Sequence, residues 1–130
     1  MKRYIFIILS LACVLLNADD IVLRHYEAEV IDVHDGDTIK LDIRLGLDVH
    51  KVEMVRLAGI DAPELNTQAG KDARDYLWKL AVGQKVTIVT NNDRREKYGR
   101  LLGTIFLGTT NLNELLIKEK HAKPYDGGKR

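Results

Sequence analysis

Thr38-Ile39-Lys40-Leu41-Asp42-Ile43-Arg44-Leu45 alternates polar and apolar residues without a break. A period of two marks a β-strand with one buried face, so Ile39, Leu41, Ile43 and Leu45 are expected in a core and their neighbours outside it. Residues 27–33, just before, are rich in β-branched side chains and read as a partner strand. Asp35-Gly36 between the two runs is a hairpin signal, since Gly tolerates the positive φ that such turns demand. Residues 51–58, ended by Gly59, give a third strand. The period then changes. Ala69, Ala73, Tyr76, Leu77 and Leu80 recur at helical spacing over residues 67–82, with Asn66 or Thr67 as N-cap and Gly83 as terminator. Residues 85–90 and 101–107 are two further strands joined by the polar stretch 91–100. Residues 111–120 form a second short helix, where Asn111 and Glu114 approximate a capping box. Three strands, a helix, two strands and a helix describe an α+β, mainly β chain. They fit a five-stranded barrel of the oligonucleotide/oligosaccharide-binding (OB) type.

At 130 residues the chain has room for one such domain. It is 45% hydrophobic and 30% charged, with two Pro and ten Gly, which excludes a disordered, collagen-like or multi-span membrane chain. The single Cys13 excludes an intrachain disulfide and a thiolate-rich zinc site. Residues 1–18 read as an export signal: Lys2 and Arg3 precede a thirteen-residue stretch, 4–16, that only Ser10 breaks, and Asn17-Ala18 follow. A membrane anchor and lipid attachment at Cys13 are the alternatives. The expectation is an exported (periplasmic or secreted) domain over residues 19–130 with no stable membrane span after signal removal. A monomer is expected, with no obligate protein partner.

Charge divides unevenly along that domain. Residues 19–93 hold nine Lys and Arg against fifteen Asp and Glu, and residues 94–130 hold nine against four. Such an asymmetry can set an attractive field for a polyanion beside an acidic, cation-holding pocket, although a split of this size also arises by chance. Four segments carry candidate chemistry: Asp35-Gly36-Asp37-Thr38; Arg56; Asp61-Ala62-Pro63-Glu64; and Lys97-Tyr98-Gly99-Arg100. Singly they read as a hairpin turn, a snorkelling Arg, a Pro-stiffened loop and a charged turn. Together they offer four carboxylates and two guanidinium groups. Carboxylates held near one another repel, and a hard cation with oxygen ligands relieves them. A cation beside two Arg suits phosphoryl transfer, with one further carboxylate taking a proton from water.

In this order, the segments resemble the thermonuclease family typified by staphylococcal nuclease, over about residues 27–125. The resemblance implies a five-stranded barrel and a cation-dependent phosphodiesterase, usually using Ca²⁺ (Mg²⁺ or Mn²⁺ being possible) and cutting DNA and RNA. It further implies Asp37 and Asp61 as metal ligands, with Asp35 supporting them from behind. Glu64 would be the general base, or the carboxylate that orients the attacking water. Arg56 and Arg100 would hold the scissile phosphate, and Tyr98 would contact a neighbouring one. Three departures stand out. Ala62 occupies a position where the prototype has a Thr, the stretch from Glu64 to the helix is shorter, and the prototype carries a third helix beyond the position of Arg130. A non-catalytic nucleic-acid-binding module on the same barrel is the alternative function, and an unrelated barrel binding protein or glycan a third. His25, His34, His50 and His121 are scattered without ligand spacing, and Trp78 and Tyr76 are expected in or at the edge of the core.

Overall fold

The computed structural model describes residues 21–128. The expected export signal over residues 1–18, and with it Cys13, lies outside these residues. Among them no helix is long and apolar enough to cross a membrane.

Among the described residues, eight strands and two helices follow in order: β1 (Leu23–Asp35), β2 (Thr38–Gly46), β3 (Val49–Leu57), β4 (Ile60–Asp61), α1 (Gln68–Ala81), β5 (Lys85–Asn91), β6 (Leu101–Leu107), β7 (Thr110–Asn111), α2 (Leu112–Lys118) and β8 (Lys123–Pro124). The main sheet runs β3-β2-β1-β5-β6-β7, and β3 also pairs in parallel with β6, so the ladders of the five long strands make a circuit. This is the OB-type arrangement that the strand count and helix positions imply. The core holds Val30, Ile39, Leu41, Leu57, Ile88 and Ile105 from the strands, with Leu77 of α1 and Leu112 and Leu116 of α2 packed against them. The three two-residue strands, β4, β7 and β8, have no periodicity to announce them in sequence.

The β2 alternation holds for Ile39, Leu41 and Ile43, which are buried, and fails at Leu45, which is 50% exposed. The β1–β2 ladder begins at Ala28↔Ile43. Beyond it β2 and β3 project as a hairpin tip whose Leu47 is fully exposed, with no core to receive Leu45. In α1 the buried stripe is Gly70, Ala73, Leu77 and Ala81, so Ala69 stands outside the face assigned to it. Trp78 is turned outward, 39% exposed beneath the Arg74 guanidinium, whereas Tyr76 packs on the core. Thr67 caps α1 by accepting from the Gly70 amide, and Asn111 caps α2 by accepting from the Glu114 amide.

Two glycines set how closely these layers approach. Gly36 does not have the positive φ anticipated for it. A Cβ there would lie 2.8 Å from the Cβ atoms of both Ala62 and Ala73, so the β1–β2 turn tucks beneath the Asp61–Glu64 segment and α1. At Gly70 a Cβ would overlap the Glu64 carbonyl, so a side chain would push the first turn of α1 off that segment.

Candidate active site

The β1–β2 turn is two residues long, with Asp35 paired to Thr38. Asp35 Oδ1 accepts from the Asp37 amide (3.0 Å), a local bond typical of Asp in turns. Because Gly36 lets the turn sink, Asp37 is buried. Its Oδ2 accepts from the Ala62 amide (2.8 Å) and its Oδ1 from the Thr38 hydroxyl (3.1 Å). Thr38 lies opposite Arg56 in the β2–β3 ladder, which sets the buried Arg56 guanidinium beside the turn. Arg56 Nη1 donates to the Leu57 carbonyl (2.8 Å), and Nη2 lies 3.4 Å from Asp37 Oδ2 and 3.5 Å from Asp61 Oδ1. Asp61 sits on β4, which Gly59 (φ 76°) turns away from β3 and β8 pairs on its free side.

Glu64 and Arg100 come from other parts of the chain. The Glu64 carbonyl accepts from the amide (3.0 Å) and hydroxyl (2.6 Å) of Thr67 ahead of α1. Arg100 closes the β5–β6 connection, where Gly99 (φ 83°) makes the tight turn. Its Nε donates to Glu96 Oε1 (3.0 Å), Nη2 to Glu96 Oε2 (3.2 Å) and Nη1 to the Thr38 hydroxyl (3.0 Å). Asp35, Asp37, Glu64, Tyr98 and Arg100 line one cleft of about 390 Å³. A larger groove of about 960 Å³ shares Tyr98 and Arg100 and adds Arg56, Lys97 and Tyr125. All seven residues singled out in sequence therefore gather in one region, five of them around the cleft, with Arg56 and Asp61 touching or adjoining Asp37.

The charges do not assemble as anticipated. Among the described residues, no three His, Cys, Asp or Glu side chains stand close enough to hold an ion among themselves. Asp37 and Asp61 instead both approach the Arg56 guanidinium, which supplies the positive charge between them. Burial pushes the Asp37 carboxyl above its usual range, and the adjacent Asp35 adds to the shift, against the Ala62 amide and Arg56. An oxygen-only donor set of this kind fits a hard divalent cation bound through one or two carboxylates, with waters and a phosphate completing its shell.

Glu96 and the Thr38 hydroxyl are contacts that the sequence reading gave no role. The Arg100 guanidinium holds the Glu96 carboxyl at about 2, well below the usual 4.5. An acid four residues before an Arg, with Gly between them, was the available signal. Tyr125, whose ring lies 6.0 Å from the Arg56 guanidinium carbon, also joins the larger groove.

Comparison with known proteins agrees with this architecture. Residues 54–129 match the family described as staphylococcal nuclease homologue. The chain is 30% identical over 127 residues to a protein of Escherichia coli called "Uncharacterized endonuclease", covering 97% of this chain and 75% of that one. It is 36% identical over 101 residues to the thermonuclease of Staphylococcus hyicus (73% of this chain, 57% of that one). With the thermonuclease of Staphylococcus intermedius it shares 38% identity over 97 residues (70% and 55%). A match over more than half the chain, on an OB-type fold with these side chains gathered at one cleft, means that the chain belongs to the staphylococcal nuclease family.

Proposed function

We propose that this chain is an exported, divalent-cation-dependent nuclease that hydrolyses phosphodiester bonds of DNA and RNA with little sequence preference. The observation that carries the reading is the cleft where Asp35, Asp37, Glu64, Tyr98 and Arg100 meet beside the Asp37–Arg56–Asp61 group. Asp37 and Asp61 would hold the cation, Ca²⁺ or else Mg²⁺ or Mn²⁺, and Asp35 keeps the Asp37 main chain in place. Such an ion, when bound, neutralises phosphate charge and polarises the ester. Glu64 accepts the proton of the attacking water, or orients that water, from the cleft wall. Arg100 and Arg56 donate to the phosphate oxygens as charge builds on them, and Arg suits this through its planar fork. Tyr98, 74% exposed at the cleft mouth, contacts an adjacent nucleotide. Contacts of this kind address phosphate and sugar and carry no base identity, hence the low sequence preference.

The test is incubation of the purified protein with plasmid and with single-stranded DNA and RNA. It is run with chelator, without it, and after adding back Ca²⁺, Mg²⁺ or Mn²⁺ singly. Cleavage that chelator abolishes and a cation restores is the expected result. Cleavage indifferent to chelator, or binding without product under every condition, would overturn the reading, the latter in favour of a binding module.

A further inference from the structure

Arg100 carries five N–H donors, and three are already committed. Glu96 takes the Nε edge in a two-point pair, and its Oε1 also accepts from the Tyr98 and Arg100 amides (3.0 Å each), so the turn fixes the carboxylate before it meets the guanidinium. Thr38 takes one Nη1 hydrogen. Its own single proton is committed to Asp37 Oδ1, so the direction of both bonds is settled. The Tyr98 ring lies 5.7 Å from the guanidinium carbon. One donor on each Nη remains for the cleft that Arg100 lines.

We propose that Thr38 and Glu96 are positioning residues, which together pre-set Arg100 as a two-donor phosphate contact and tie its placement to Asp37. The proposal rests on reading Arg100 as a phosphate contact. Glu96 and Arg100 lie four residues apart in one turn, so their pair joins no distant elements. What it does is occupy the Nε edge and aim the opposite edge. Thr38, at the first residue of β2, carries that aim across to the neighbouring turn. A contact held before the substrate arrives needs no reordering of a long side chain as charge develops.

Thr38→Val, Thr38→Ser and Glu96→Gln are made alone and in an Arg100→Ala background. Turnover and KM on single-stranded DNA are measured, together with the ¹⁵N-resolved Nε–H signal of Arg100 without substrate or cation. T38V and E96Q are expected to lower kcat by about 10- to 100-fold with KM moving less than about threefold, and T38S to return to within about threefold of wild type. In R100A both changes should cost less than about twofold, because residues acting through one group are not additive. The Nε–H signal should be sharp and slow to exchange in wild type and broadened in E96Q. Full additive losses in R100A, unchanged kcat in T38V and E96Q, or an Nε–H signal indifferent to E96Q would overturn the proposal. If R100A itself turns over like wild type, the phosphate-contact reading fails first and the proposal with it. Should T38V fail to fold, E96Q in the exposed turn and the T38S comparison decide the matter.

Discussion

Glu64 is anchored through its main chain, by two bonds from Thr67 to its carbonyl, while its side chain lines the cleft. Glu64→Gln is expected to lower kcat by about 10²–10⁴, the usual worth of a proton acceptor. Oligonucleotide affinity in chelator, read by fluorescence anisotropy, should stay within a few-fold. Arg100→Ala should cost about 10²–10³ in kcat by the same assay, as for other donors to developing charge. Gly70 is the converse case. Gly70→Ala would drive α1 off the Glu64 carbonyl, and a destabilisation of about 1–3 kcal/mol is expected from thermal unfolding, with turnover falling alongside. The residues around the cleft were legible because acids and arginines recur in a recognisable order. The sequence offers Gly36 as a turn residue for its φ, whereas its use is close packing against Ala62 and Ala73. Glu96 was hidden among many surface charges, since only the folded turn shows which Arg it meets.

At the scale of elements, legibility follows how much of a segment's surface is covered on a regular period. Strand β6 occupies the residues expected of it, and α1 differs by one residue at each end. Its caps were readable too, because an Asn or Thr beside a helix start has few other uses. Thr67→Ala should therefore cost about 1 kcal/mol by chemical denaturation, the typical worth of an N-cap. Leu77→Ala, with no exposure to relieve the cavity, should cost about 2–5 kcal/mol by the same measurement. Where coverage stops, so does the pattern. Leu45 alternates faultlessly in sequence and still faces solvent because β1 has parted from β2 by that point. The outward Trp78 is a similar case: apolar spacing gave it a helix but not which flank of that helix the sheet would take. Strands β4 and β8 are made by their partner alone, and nothing in two residues could have predicted them.

Over the whole molecule, ion pairs tie the polar connection 91–100 to the sheet. Glu53 of β3 meets Arg95 through two bonds, at 2.8 and 3.0 Å, and Lys51 at 2.9 Å. Arg95 above all, opposed by partial burial and aided by Lys51, holds the Glu53 carboxyl at about 2, against its ordinary 4.5. A carboxyl lowered on folding contributes stability that is complete above its unfolded value and drains as pH falls toward its folded one. The melting temperature should therefore drop as pH is taken from about 4.5 to about 2, and Glu53→Gln should flatten that slope. The contacts that matter most for the cleft are drawn from far along the chain: Asp37 to Ala62, Thr38 to Arg100, β4 to β8. The β4–β8 ladder has a consequence for the order of folding. Lys123, which pairs with Asp61, stands far along the chain from it, so the β4 edge gains its partner only by closing a long loop. The strand that bears Asp61 is thus completed by a contact that only the collapsed chain can make.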